Sequence, residues 1–248
     1  MKKIALIIPL FLLIACGADD SSPGLSLGSG DGVTGVGGST ARFAIRGNYM
    51  YVSTKEKLKV LDLNDGRNPQ NVKTIPTFGG LETAITYENH LFLGAENGVY
   101  IYNLDDPETP EFVTLYTHQT GCDPVIVNGD FAYLTIRDEV TCTGHFVNQL
   151  LTIDISDITN PQTLDTVEMI RPRGLTIYNG DLYVGEGVLG LKKFNINTPW
   201  QPKLDTFFTT IPANDMIGLP NQMIITANNG VSQYISQADS LNLLSTIN

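Results

Sequence analysis

Gly47-Asn-Tyr-Met-Tyr-Val52 recurs along the chain as Asn89-His-Leu-Phe-Leu93, Gly129-Asp-Phe-Ala-Tyr-Leu134, Gly180-Asp-Leu-Tyr-Val184 and Pro220-Asn-Gln-Met-Ile-Ile225. With Tyr51, Phe92, Tyr133, Tyr183 and Ile224 as equivalent anchors, the spacings are 41, 41, 50 and 41 residues. Most copies set a turn residue pair before an apolar run, as tight hairpins do. A fixed period near 40 residues with short strands inside each copy is the signature of a β-propeller or a related array. One such unit cannot bury its own apolar faces, so it must stack on its neighbours.

Each repeat carries four apolar runs. In the first they are Phe43–Ile45, Tyr49–Ser53, Leu58–Leu63 and Val72–Pro76, separated by turn residues. The second run is apolar on both sides, as a strand buried on both faces must be. The fourth alternates, as suits an outer strand with one wet side. An Asp or Asn at the end of the third run is followed seven residues later by proline: Asp62 and Pro69, Asn103 and Pro110, Asp154 and Pro161, Asn195 and Pro202. We read this pair as turn chemistry. The side chain caps local N–H groups, and proline presets φ for the returning strand. The sequence thus predicts an all-β chain. The expected fold is a five-bladed β-propeller with four antiparallel strands per blade, over residues 40–248. The repeats fall at about 40–78, 79–119, 120–170, 171–211 and 212–248. The fifth has Asn242 in place of the proline. With repeats and blades in phase, the ring is expected to close by packing alone, with no strand shared.

Residues 1–15 read as a lipoprotein signal peptide. Lys2-Lys3 precedes the apolar run Ile4–Ile14, whose 11 residues are short for a membrane-spanning helix. Leu13-Ile-Ala-Cys16 resembles a bacterial lipobox, which implies cleavage before Cys16 and lipidation of its sulfur. The alternative is a plain secretory peptide in which Cys16 is incidental. Residues 16–39 follow as a lipid-anchored tether, with 13 Gly or Ser among the 23 residues from Gly17 to Ser39. Gly17, where an aspartate would retain the protein at the inner membrane, resembles outer-membrane sorting. The expected location is the outer membrane, on its periplasmic or cell-surface face.

Loss of residues 1–15, with two lysines and no acid, takes the net charge from −11 to −13. Such acidity argues against nucleic acid as a partner and against direct docking on anionic lipid, so membrane attachment falls to the acyl anchor. Cys122 and Cys142 form an even pair in an exported chain. Cys122 lies in the link into blade three, and Cys142 lies in the loop that lengthens one spacing to 50. We expect a Cys122–Cys142 disulfide pinning that loop, worth about 3 kcal/mol in the chain-entropy model. Unpaired thiols or metal ligands are the alternatives.

The third runs, Leu58-Lys-Val-Leu-Asp-Leu-Asn-Asp-Gly-Arg-Asn-Pro69 and Leu151-Thr-Ile-Asp-Ile-Ser-Asp-Ile-Thr-Asn-Pro161, resemble the LVIVD-repeat family of bacterial secreted and surface proteins. The resemblance covers nearly all of residues 40–248, with the fifth repeat departing from it. It implies a β-propeller and no particular activity, because the repeat motif is structural.

No nucleophile-elbow, zinc-protease, phosphate-loop or paired-cysteine motif is present. No cofactor and no metal site are expected. His90 falls in a hairpin turn, and His118 and His145 fall on the face of the inserted loop, where surface exposure is the ordinary reading. Ten residues before each anchor stand Ala41, Glu82, Asp123, Arg173 and Asn214. Each lies at the start of an inner strand, and together they would ring one mouth of the central channel. Arg171, Asp215, Glu186, Asn228 and Asn229 would share that face. Glu82, Asp123, Arg173 and Asn214 are therefore the candidate binding residues for a small ligand or peptide. The bland alternative is that these positions are polar because they are wet. The leading expectation is a non-enzymatic binding module of the envelope, with an envelope protein, peptide or glycan as partner. The alternative is an envelope hydrolase or lyase acting at the channel mouth on a glycan or ester, with carboxylates as acid and base.

Overall fold

The computed structural model describes residues 34–35, 38–78, 80–118, 124–137, 147–237 and 240–247. Among them there are 21 strands and no helix. Blade 1 comprises β2 (Phe43–Arg46), β3 (Tyr49–Thr54), β4 (Lys57–Asp62) and β5 (Gln70–Pro76). A short strand, β1 (Thr34–Gly35), adds to the free edge of β2. Blade 2 holds β6 (Leu81–Tyr87), β7 (His90–Ala95), β8 (Gly98–Asn103) and β9 (Glu111–Thr117), and blade 3 holds β10 (Val125–Asn128), β11 (Phe131–Ile136), β12 (Gln149–Asp154) and β13 (Gln162–Glu168). Blade 4 holds β14 (Leu175–Tyr178), β15 (Asp181–Gly185), β16 (Leu191–Asn195) and β17 (Lys203–Phe208). Blade 5 holds β18 (Asp215–Leu219), β19 (Gln222–Ala227), β20 (Gly230–Gln237) and β21 (Ser240–Ile247). Strands within each sheet pair in sequence order, all antiparallel. First strands of successive blades touch one another, which makes them innermost. The strap strand β1 therefore lies on the inner edge of β2.

Local chemistry explains the strands' limits. The hairpin between β14 and β15 turns at Asn179 and Gly180, with φ of 53° and 84°. Positive φ at both central residues is the backbone of a type I′ turn, and Asn-Gly tolerates it best. After the third strands of blades 1 to 4, the repeated Asx caps a backbone N–H two residues on. Asp62 Oδ1 accepts from Asn64 N at 2.7 Å, and Asn103 Oδ1 from Asp105 N at 2.5 Å. Asp154 Oδ1 accepts from Ser156 N at 2.9 Å, and Asn195 Oδ1 from Asn197 N at 3.0 Å. These contacts bear out the turn role read from the sequence.

The anchors hold blade to blade. The Tyr51 hydroxyl donates to Pro107 O at 2.8 Å, in the turn of the next blade, and Tyr133 does the same to Pro199 O at 2.9 Å. Burial disfavours the phenolate, pushing Tyr133 up to about 12. Four apolar clusters stitch blade 1 to 2, 2 to 3, 3 to 4 and 4 to 5. No cluster of described residues joins blade 5 to blade 1. The second strands β7, β11 and β15 are buried along nearly their whole length, whereas β3 and β19 bury alternate residues only.

Repeats and blades are in phase, as the sequence implies, but closure by packing is not what the seam shows. Its described hydrogen bonds run from Ser39 and Thr40, just ahead of blade 1, to Asp215 at the start of blade 5.

Candidate functional site

The links between blades and the hairpin loops joining second to third strands meet on one face of the ring. In blade 4 the loop after β15 runs back over the start of blade 5. Gly187 and Ala213 form an antiparallel bridge, Gly187 N donating to Ala213 O at 2.8 Å and Ala213 N to Gly187 O at 3.0 Å. Gly187 has φ of 62°, and a Cβ there would lie 2.9 Å from Arg173 Nε, so the loop and the guanidinium are in close approach.

This contact gathers two of the four sequence-predicted residues. Arg173 precedes β14, its N–H bonded to Gly185 O at 2.8 Å and its carbonyl taking the Thr135 hydroxyl at 2.7 Å. The next amide, Gly174 N, donates to Asn214 O at 2.9 Å. The Asn214 side chain donates to Asn228 Oδ1 at 2.8 Å. A groove of about 260 Å³ runs beside them, lined by Val188, Pro212, Asn214, Ala227, Asn228 and Asn229. Glu82 stands apart in blade 2, with blade 3 between it and this pair, at the bulge that interrupts pairing between β6 and β7. Asp123 lies outside the described residues, as do Cys16, Cys122, Cys142 and His145. His90 is half-buried, and burial lowers its pKa from the ordinary value.

Asp215 follows Asn214 at the start of β18. Its Oδ1 accepts from the Ser39 hydroxyl at 3.1 Å, and its Oδ2 accepts from Thr40 N at 3.3 Å and the Thr40 hydroxyl at 2.5 Å. Gly38 and Gly174 pack so closely on the carboxylate that a Cβ on either would sit 2.1 Å from one of its oxygens. Glu186, by contrast, is spent inside the protein. It is 1% exposed, salt-bridged to Lys192 Nζ at 2.6 Å, and accepts from Ile170 N at 3.2 Å and Arg171 N at 2.5 Å. That network pins the link between blades 3 and 4. Sequence reasoning placed Asp215 and Glu186 on this face and missed Ser39, Thr40 and Lys192. The one sequence signal for Lys192 is a pair of lysines inside a third-strand run that is elsewhere mostly apolar. Among the described residues, no group of three or more His, Cys, Asp or Glu could hold a metal ion.

A family model described as LVIVD repeat matches residues 37–74 and 122–168. These two stretches are thus similar to LVIVD repeats, and they lie in a chain built as a β-propeller. No curated protein matches it. Among solved structures, the periplasmic gluconolactonase PpgL of Pseudomonas aeruginosa shares the fold, with a TM-score of 0.63 at 13% identity. The match covers 82% of this chain and 67% of that one. This neighbour overturns the expectation of a non-enzymatic module. The same architecture carries a named enzyme, so a missing linear motif is no sign of a missing activity. The repeat period reports scaffold strands, while reacting groups on a propeller sit in links and loops that obey no fixed spacing.

Proposed function

We propose that the protein is a cell-envelope hydrolase that opens an ester or sugar-lactone bond at the channel mouth, between blades 4 and 5. The observation that carries this reading is the backbone contact of Gly174 with Asn214, which brings Arg173, Asn214 and Asp215 to neighbouring positions at the junction of blades 4 and 5, next to a groove lined by Asn214, Asn228 and Asn229. The shared architecture with a periplasmic gluconolactonase supports it. In this reading Asp215 takes a proton from water, whose oxygen adds to the carbonyl carbon. The Arg173 guanidinium stabilises the oxyanion as it develops. The carbon–oxygen bond then breaks, and the departing alkoxide recovers the proton from Asp215. Asn214, Asn228 and Asn229 would bond sugar hydroxyls, and Glu82 and Asp123 would complete the polar rim.

The same reading places the protein in the outer membrane through acylated Cys16, with Cys122 and Cys142 joined across the blade-three loop. The lipobox-like Leu13–Cys16 and the Gly/Ser-rich tether support the anchor. The test is hydrolysis of δ-gluconolactone and p-nitrophenyl acetate by the full chain in detergent, followed in a pH-stat. Arg173→Met should lower kcat/KM about 10²–10³-fold and Asp215→Asn about 10²–10⁴-fold. Turnover of both substrates at the uncatalysed rate would end the reading, as would activity indifferent to both substitutions.

A further inference from the structure

We infer that Gly38–Thr40 is a releasable clasp. It hydrogen-bonds the half-buried Asp215 carboxylate and holds the first and last blades together at the channel mouth, so that the carboxylate is engaged until the clasp lifts. As a regulator of catalysis this rests on the hydrolase reading above; as a cover over Asp215 it stands on geometry alone.

Three observations carry it. First, the clasp satisfies both carboxylate oxygens: Ser39 takes one, and the amide and hydroxyl of Thr40 take the other. Hydrogen bonds to a charged acceptor are the stronger kind. A carboxylate held this way has little capacity left to polarise a water. Second, Ser39 is a junction. It is 4% exposed, and its Oγ accepts from Leu175 N of blade 4 at 2.8 Å while donating to Asp215 of blade 5. Ala41, one residue beyond the clasp, accepts from Ala84 N of blade 2 at 2.8 Å. A segment a few residues long thus touches blades 2, 4 and 5 while leading into blade 1. Third, nothing else described seals the seam. The four other junctions each have an apolar cluster, and this one has none among the described residues.

Such a contact is well placed to be reversible. Polar contacts at a water-reachable mouth exchange for bonds to solvent at modest net cost, whereas an apolar junction does not. Backbone pairing of β1 to the inner edge of β2 involves only Thr34 and Gly35. The clasp continues, toward the N-terminus, into the segment read from sequence as the tether. Of the described contacts N-terminal to the clasp, the two-residue pairing of β1 with β2 lies next to it. Lifting the clasp frees the Asp215 carboxylate. The two states then differ by a handful of hydrogen bonds, as a switch requires.

The experiment compares the full chain with the double variant Ser39→Ala, Thr40→Val, both checked for folding by circular dichroism. Carboxylates are labelled with a carbodiimide and glycine ethyl ester and mapped by mass spectrometry, and δ-gluconolactone hydrolysis is measured on the same samples. We expect Asp215 to label about ten-fold faster in the variant, while Asp181, salt-bridged to Lys193 at 3.1 Å in blade 4, labels at an unchanged rate. Hydrolysis should rise in parallel with Asp215 labelling. Equal labelling of Asp215 in the two proteins overturns the clasp. Faster labelling with no hydrolysis by either protein upholds the clasp as a cover and removes the catalytic reading instead.

Discussion

Blades 2, 3 and 4 differ from blades 1 and 5 in what their second strands do with similar residues. Leu91, Phe92 and Leu93 of β7 are 0–1% exposed, as is the Leu182-Tyr183-Val184 run of β15 at 0–2%. In β19, Met223 and Ile225 are equally buried, but Ile224 between them is half-exposed and Thr226 is exposed. In β3, Tyr51 is buried and Met50 and Val52 are half-exposed. The sequences of these strands are nearly interchangeable in hydropathy. Burial is set by the neighbour on each side, and blades 1 and 5 each have one apolar neighbour. The period of the repeat is thus a local property, while closure of the ring is not. Closure rests on Ser39, Thr40 and Asp215, which the repeated anchor motif does not include.

Lysine at one strand position sharpens the contrast most. Lys192 pairs across from Val184 and Lys59 pairs across from Val52, so the two are equivalent. Lys192 is 8% exposed and bound to Glu186, while Lys59 is exposed. Lys192→Met should cost about 3–5 kcal/mol in urea unfolding, because it strands the Glu186 charge inside the protein. Lys59→Met should stay within about 0.5 kcal/mol. Equal effects would mean that the two seams are alike after all. A smaller but cleaner comparison uses apolar truncation. Leu182→Ala should destabilise by about 2–5 kcal/mol, the cost of a cavity in a closed seam. Ile224→Ala should cost about 1 kcal/mol, since water already reaches that face. A large loss at Ile224 would reveal an apolar partner on the outer side of blade 5.

Much of this was legible in the residues. Counting from the anchors gave five blades, four strands each, because a hairpin turn and a buried strand have strong local signatures. The Asx positions were readable as caps because their chemistry acts within two residues. Counting ten residues back from the anchors also put Arg173 and Asn214 on one rim, where the structure joins them. Glu82, counted in the same way, is not in that group, because rim position does not specify which blades adjoin the groove. The clasp was hidden for a different reason. Ser39 and Thr40 end a Gly/Ser-rich stretch whose composition reads as tether, and their partner lies about 175 residues away. The buried ion pair was hidden because Lys59 and Lys192 look alike until their neighbours are known. Function was misjudged because the repeat says nothing about chemistry held in loops.

Native-state amide hydrogen exchange, read by mass spectrometry strand by strand, tests the central claim most directly. The second strands β7, β11 and β15 should exchange only through global unfolding. The second strand β19 and the inner strand β18, held to blade 1 by the clasp, should exchange at least about ten times faster through local opening of the seam. Uniform protection across all five blades would contradict the account, because it would require a sealed junction between blade 5 and blade 1.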